Sequence, residues 1–206
     1  MTPKKMQLHW SPKSPYVRKV MVVAIETGMI DMLETIRTVA TVYKPNPTLM
    51  QDNPLSKVPT LKLGNSEVLY DSAVICEYLD AQAKTVLFPQ GEQRWQALRW
   101  QALGDGLLDT IVLWRHERER AEPARSPELL HAYHTKTVSA LHCLEAELPN
   151  LKAAPFSIGH ISLGCALGYL DFRMADLDWR TSGGDLAHWY SEIMKRPSFI
   201  ETIPKL

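Results

Sequence analysis

The sequence changes character near residue 84, and this change limits the folds open to the chain. Before that point, short apolar runs typical of strands alternate with runs of helical spacing. The predicted elements are a strand at 6–10, a helix at 15–28, a strand at 34–42, a hairpin of 59–63 and 67–70, and a helix at 71–81. This order, β-α-β followed by β-β-α, requires a right-handed parallel crossover in its first half.

After residue 91 the strand pattern disappears and helical periodicity takes its place. It predicts helices at 92–119, 127–148, 158–173 and 185–195, which would bury their apolar faces against one another. We therefore expect an α/β domain over 1–82, a linker over 83–91 and an all-helical domain over 92–206.

The charge balance argues against a polyanionic partner. Lys plus Arg equals Asp plus Glu at 23 each, so the chain has no overall field for nucleic acid, and the mixed run 115–125 is typical of a solvated helix face. The three cysteines are far apart and have no metal-ligand or disulfide spacing. The sequence contains no run of eighteen apolar residues, and no apolar segment follows the basic start. We expect a cytoplasmic protein that binds no metal, nucleic acid or membrane.

The first motif, Ser14-Pro15-Tyr16-Val17, lies where the first strand gives way to a helix. Proline suits the first turn of a helix, and the free N–H groups and the dipole at such an end favour an anion. Ser14 can serve as the helix N-cap, and Ser11 presents a second hydroxyl in the same loop.

Four stretches together resemble the glutathione transferase superfamily in content, order and spacing. They are 11–20, 53–61, 69–79 and 156–173, the last followed by 195–199, and they span nearly the whole chain. The resemblance implies a thioredoxin-like glutathione-binding domain, a helical bundle domain and a homodimer. The dimer would form between one subunit's first domain and its partner's helical domain.

The resemblance also implies a role for the first motif. Thioredoxin-like proteins carry a Cys-Pro-Tyr-Cys type of motif where this chain has Ser14 to Val17. Serine removes the disulfide chemistry but keeps a hydrogen-bond donor, so Ser14 is the expected catalytic residue. Its hydroxyl would donate to the glutathione thiolate and lower the pKa of the thiol. Ser11 is the alternative.

The other arms of glutathione are assigned by the same resemblance. A cis bond between Val58 and Pro59 would let the main chain of Val58 pair with the cysteinyl backbone of glutathione. Asp71 and Ser72 would hold the γ-glutamyl ammonium and carboxylate, although either could simply cap a helix. The glycyl carboxylate needs a cation, which is expected from Lys44 or, as the second option, Lys57.

The second substrate is expected between the first helix and the long helix at 95–119. Tyr16, Val112, Trp114 and Arg115 are candidates to line its pocket, and ordinary packing is the alternative for each of them. The implied activity is conjugation of glutathione to small hydrophobic electrophiles. Alternatives are a glutathione-dependent lyase, isomerase or dehalogenase, or a non-catalytic binding protein of the same shape.

One position departs from the superfamily pattern. Relatives usually have Ser or Thr followed three places later by Asp at the start of the buried helix, whereas this chain has Ser157 and His160. We expect the positive helix end to lower the pKa of His160, and His160→Asp to stabilise the protein.

Overall fold

The computed structural model describes residues 5–182 and 184–205. Residues 1–4, Gly183 and Leu206, which belong to the two domains predicted from the sequence, lie outside the described residues. The chain divides into two compact units, one formed by residues up to 88 together with those from 197 onward, and the other by residues 89–196. The domain division predicted from the sequence places the segment from 197 onward in the helical domain.

The first unit is built on a mixed four-stranded sheet with the order β2-β1-β3-β4. Its strands are β1 (Met6–Trp10), β2 (Leu33–Arg37), β3 (Thr60–Lys62) and β4 (Val68–Leu69), and its first three helices are α1 (Pro15–Glu26), α2 (Pro47–Met50) and α3 (Ser72–Ala83). β1 and β2 are parallel, whereas β3 is antiparallel to both β1 and β4. This confirms the predicted β-α-β and β-β-α halves of a thioredoxin-like domain.

The second strand is shorter than its alternating pattern predicted. β1 ends at Trp10, which pairs with Arg37, so the chain beyond Arg37 has no further strand to pair with. Thr38 makes one more main-chain hydrogen bond, to the carbonyl of Trp10 at 2.8 Å. Val39 and Val42 then lie exposed outside the sheet.

The second unit is helical, as predicted. Its helices are α4 (Glu92–Glu119), α5 (Pro127–Ala153), α6 (Ile158–Arg173), α7 (Trp179–Ser182) and α8 (Gly184–Ile193). α5 continues past Pro149, whereas the helical periodicity predicted an end at residue 148. Leu148 and Leu151 on either side of Pro149 are buried, so packing outweighs the loss of one helical hydrogen bond.

Two glycines allow α4 and α6 to approach closely. A Cβ on Gly104 would lie 2.7 Å from the main-chain carbon of Ser162, and one on Gly159 would lie 2.7 Å from Cβ of Trp100. Only a residue without a side chain fits at such a distance. The close approach buries both faces of α6, as its continuous apolar sequence predicted.

The last helix, α9 (Pro197–Glu201), packs in the first unit against α1. The guanidinium of Arg18 in α1 donates to the carbonyl of Phe199 at 3.3 Å and lies over the Phe199 ring, with 5.4 Å from Cζ to the ring centroid. Ser198 donates to the carboxylate of Glu26. These bonds satisfy a buried cation and fix the start of α9 on α1.

Candidate functional site

The register of the sheet brings three of the predicted motifs to one end of the first unit. His9 pairs with Thr60 and Leu61 pairs with Leu69, so β1 and β4 end where β3 begins. The loop after β1, the residues before β3 and the residues after β4 therefore leave the sheet from the same edge. These segments carry Ser11 and Ser14, Val58 and Pro59, and Asp71 and Ser72 respectively.

Ser14 caps α1. Its Oγ accepts the N–H of Val17 at 3.3 Å, and its own N–H donates to the carbonyl of Ser11 at 3.3 Å. Oγ of Ser11 accepts the N–H of Lys13 at 3.4 Å, and both serines are half-buried. A hydroxyl that accepts a hydrogen bond keeps its own proton for donation. Ser14 can therefore cap the helix and donate to a ligand at the same time.

The peptide bond between Val58 and Pro59 is cis, as expected. Val58 is half-buried and Pro59 is buried at the entry to β3. Within the part of the chain that the structure describes, neither the N–H nor the C=O of Val58 makes a hydrogen bond. The two groups can therefore pair with an extended peptide, as the edge of a sheet does.

Asn53 holds this loop in place, a role that sequence reasoning missed. Its buried side-chain amide donates to the carbonyl of Lys57 at 3.2 Å and to Oγ1 of Thr60 at 2.9 Å. Its Oδ1 accepts the N–H of Leu55 at 3.0 Å. The signal in the sequence was an Asn-Pro pair in a turn-rich stretch, where Asn side chains commonly bond the main chain two residues later.

Asp71 and Ser72 begin α3. Oδ1 of the exposed Asp71 accepts the N–H of Ala73 at 2.9 Å, so Asp71 is the N-cap, and the bond between Tyr70 and Asp71 is cis. Ser72 is 3% exposed, and no hydrogen bond joins its N–H or Oγ to any of the described residues. The helix start therefore presents a donor pair beside a carboxylate.

The two candidate lysines are both exposed. Lys44 lies in the bend between β2 and α2, where its N–H donates to Oγ1 of Thr41 at 3.1 Å. Lys57 directly precedes Val58, and its carbonyl accepts the bonds from Asn53 and Thr60. The main chain of Lys57 is therefore the more firmly held of the two.

A polar network under this edge ties the sheet to the segment after α2. The imidazole of the buried His9 lies 2.9 Å from Oγ1 of Thr38 and 3.0 Å from Oδ2 of Asp52, whose Oδ1 accepts from Lys62 at 3.0 Å. The hydrogen bonds from His9 and then Lys62 hold the pKa of Asp52 below its ordinary value. Asp52 precedes Asn53, so the network fixes the start of the Val58 loop.

The remaining pocket candidates are placed as follows. Tyr16 is half-buried in the first turns of α1, and Val112 is half-buried on α4. Trp114 is buried, with its ring edge-on to His134 at a centroid distance of 5.8 Å. Nε of Arg115 donates to Oε1 of Glu119 at 2.7 Å.

The described ranges 5–182 and 184–205 contain no group of three or more His, Cys, Asp and Glu side chains placed to hold a metal ion. They also contain no helix that combines the length and the apolar character needed to cross a bilayer.

Known proteins share this fold. The family model for the N-terminal domain of glutathione S-transferase matches residues 13–82. The uncharacterized GST-like protein YibF of Escherichia coli K12 is 30% identical over 203 residues, which is 97% of this chain and 98% of that protein. The chain therefore belongs to the glutathione S-transferase superfamily.

Solved structures agree over the whole length. A glutathione transferase family member from Pseudomonas fluorescens Pf-5, crystallised with bound glutathione, is 44% identical with a TM-score of 0.93, covering 98% of this chain and 100% of that one. A glutathione S-transferase from Methylobacillus flagellatus KT, with glutathione bound, is 35% identical with a TM-score of 0.87 at the same coverage.

Proposed function

We propose that this protein is a glutathione transferase that binds glutathione as the thiolate and conjugates it to small hydrophobic electrophiles. The observation that carries the proposal is the main chain of Val58, which makes no hydrogen bond to any described residue. It follows Lys57, whose carbonyl is held by Asn53, at the sheet edge that also presents Ser14 and Ser72. A peptide laid along this edge would meet hydrogen-bonding groups for its backbone and its ends. The Pseudomonas and Methylobacillus relatives hold glutathione, which supports the same ligand here.

The chemistry would centre on the sulfur. The start of α1 favours an anion, and the hydroxyl proton of Ser14 would donate to the thiolate. The sulfur lone pair then forms a carbon–sulfur bond with the electrophile. In a substitution the leaving group departs with its electron pair, and in an addition a proton is taken up beside the new bond. Ser11 stays the alternative donor.

The arms of glutathione have distinct partners in this proposal. The N–H and C=O of Val58 pair with the cysteinyl main chain, with Pro59 fixing the turn. The N–H and the hydroxyl of Ser72 donate to the γ-glutamyl carboxylate, and Asp71 pairs with the ammonium group. Lys44, or else Lys57, meets the glycyl carboxylate.

The second substrate defines the reaction class. A relative from Pseudomonas fluorescens Pf-5 that is 43% identical was crystallised with S-(propanoic acid)-glutathione, a thioether of the type that conjugation produces. Lyase, isomerase and dehalogenase reactions would use the same thiolate and differ in the lining of the pocket, for which Tyr16, Val112, Trp114 and Arg115 are our candidates. Detoxification in the cytoplasm is the physiological role we propose.

Retention on immobilised glutathione, followed by elution with free glutathione, tests binding. A panel of aryl halides, enones and epoxides, with product detection by mass spectrometry, then tests catalysis. Retention with turnover supports the proposal. Retention without turnover of any class would identify a non-catalytic binding protein, and failure to bind glutathione would reject the site itself.

We also propose a homodimer, on the family resemblance. Light scattering behind a sizing column should give twice the 23.4 kDa chain mass. A monomer at micromolar concentration would contradict it.

A further inference from the structure

An open groove of about 300 Å³ lies at the C-terminal ends of α4 and α6 within the helical unit. Its walls combine three guanidinium groups with one carboxylate, one aromatic ring and one thioether. The lining residues are Arg115, Arg118, Glu119, Phe172, Arg173 and Met174. Arginines clustered in one groove attract anions.

Two of the three guanidinium groups are already paired. Arg115 donates to Glu119 at 2.7 Å across one helical turn. Arg118 makes two parallel hydrogen bonds to the carboxylate of Asp176, both at 3.0 Å, and its Nη1 also lies 3.0 Å from Sδ of Met174. The bidentate pair holds the pKa of Asp176 below its ordinary value.

Arg173 is different. Its guanidinium stacks on the ring of Phe172, with Cζ 4.0 Å from the ring centroid. Its Nε is buried and finds no acceptor among the described residues. The negative end of the helix dipole stabilises a cation in the last turn of α6. This accounts for the charge of Arg173 but not for the Nε donor that lacks an acceptor among the described residues.

The charges around the groove give it one net positive charge. Arg115, Arg118 and Arg173 supply three, and Glu119 and Asp176 supply two of opposite sign. A single negative charge would therefore balance the groove. The flat fork of a guanidinium fits the two oxygens of a carboxylate, and the Phe172 ring offers an apolar wall.

We propose that this groove is a binding site for a small organic monocarboxylate, with Arg173 as the residue that pairs with the carboxylate. Phe172 fixes the guanidinium plane from one side. Arg115 and Arg118 are held by their own carboxylates and therefore do not compete for the ligand. The lining residues all belong to the helical unit, and the groove shares Arg115 with our candidates for the second-substrate pocket. The pairing with Arg173 goes beyond the proposed glutathione chemistry and does not rest on it.

Isothermal titration of the full chain with 4-hydroxybenzoate, without glutathione and at low salt, tests the proposal. 4-Hydroxybenzamide is the neutral probe of the same shape. We expect saturable one-to-one binding of the acid, about tenfold or more tighter than the amide, because hydrogen bonds to a charged group are worth roughly tenfold or more in affinity. Arg173→Gln should lower the affinity for 4-hydroxybenzoate by a similar factor.

Matched variants separate pairing from general charge. Arg37→Gln removes the same charge from an exposed site on β2 and should leave acid binding unchanged. Arg173→Lys keeps the charge but not the fork and should bind with intermediate affinity. Urea midpoints show whether each variant is folded. If Arg173→Gln does not fold, the acid–amide comparison and Arg173→Lys still decide the matter.

Several results would overturn the proposal. They are equal affinities for acid and amide, unchanged acid binding in Arg173→Gln, equal losses in Arg173→Gln and Arg37→Gln, or no saturable binding at all. Displacement of the acid by inorganic phosphate at equal or higher affinity would show a site for any anion. That result would reject the assignment to carboxylates.

Discussion

The main-chain N–H of Ser157 donates to Nδ1 of His160 across 3.2 Å at the start of α6. The other ring nitrogen, Nε2, donates to the carbonyl of Leu151 at 3.0 Å, so the neutral imidazole with its proton on Nε2 satisfies both bonds. The ring is 3% exposed and contacts the rings of Trp100 and Phe156. His160 thus accepts the N-cap N–H as the usual acid at this position would, and it adds a hydrogen bond to α5.

The pKa of His160 is lowered, as the sequence predicted, but mainly for another reason. Burial is the largest cause, and the positive charge of Arg196 adds to it, while the bond to Leu151 opposes both. We therefore expect His160→Asp to destabilise the protein, in contrast to the gain expected from the sequence. A carboxylate there would be buried among aromatic rings and would leave the carbonyl of Leu151 without its donor.

His160→Gln should flatten the acid side of the stability curve. The folded state disfavours protonation of His160. The unfolded state therefore binds more protons near and below about pH 6.5, which is the ordinary pKa of histidine in an unfolded chain. The stability from the neutral imidazole is thus intact above that value and is lost as pH falls through the lowered folded pKa. Glutamine keeps an acceptor for Ser157 and does not titrate. Urea midpoints between about pH 7.5 and 5 measure the slope.

His131→Gln, at an exposed position on α5, is the control and should leave the slope of the wild type. A His160→Gln protein with an unchanged slope would show that another group causes the acid sensitivity.

Ser14→Ala should raise the pKa of the bound glutathione thiol with little loss of glutathione affinity. A hydrogen bond to a charged group contributes roughly 1.5–3 kcal/mol, which corresponds to about one to two pKa units. Loss of the N-cap should also lower the free energy of unfolding by about 1 kcal/mol. Thiolate absorbance against pH measures the first effect. If Ser11→Ala raises the pKa and Ser14→Ala does not, the catalytic role belongs to Ser11.

Ser14→Cys should introduce thiol–disulfide chemistry, because a cysteine at a helix N-terminus favours the thiolate. With oxidised glutathione, the thiolate attacks one sulfur, forms a mixed disulfide and releases one reduced glutathione. Intact-mass measurement detects the adduct. Ser11→Cys is the matched variant, and an adduct on Cys at position 11 alone would place the sulfur there.

Asp71→Asn separates capping from ligand binding. Asparagine caps helices as well as aspartate does, so the hydrogen bond to Ala73 and the urea midpoint should be retained. The charge that would pair with the γ-glutamyl ammonium is lost, so glutathione affinity should fall about tenfold. Calorimetric titration measures it. Unchanged affinity would mean that Asp71 only caps α3.

Gly104→Ala should destabilise the helical unit by about 1–3 kcal/mol, because the new methyl meets the main chain of Ser162 and Leu163. Gly106→Ala on the same helix is the control. Its methyl meets nothing within 4 Å, so it should stabilise by about 0.5–1 kcal/mol. Urea unfolding of both variants decides it, and equal effects would contradict the close approach of α4 and α6.

The sequence predicted those features that depend on local pattern. α4 and α6 begin and end where their periodicity does, and Ser14 and Asp71 stand at helix starts. Features that depend on distant partners were not predictable. The end of β2 depends on where β1 ends, and the continuation of α5 through Pro149 depends on buried neighbours. The hydrogen bond from the Asn53 side chain to Thr60 depends on a strand that begins seven residues later.

The hydrogen bond between Arg18 and Phe199 can form only late in the synthesis of the chain. The strands and helices up to residue 88 leave the ribosome first, yet the carbonyl of Phe199, one of the acceptors of the buried guanidinium of Arg18, is made only after the whole helical unit. Until then the α1 that carries Ser14 holds a cation without its partner in the carbonyl of Phe199. The unit that begins the chain is therefore completed last.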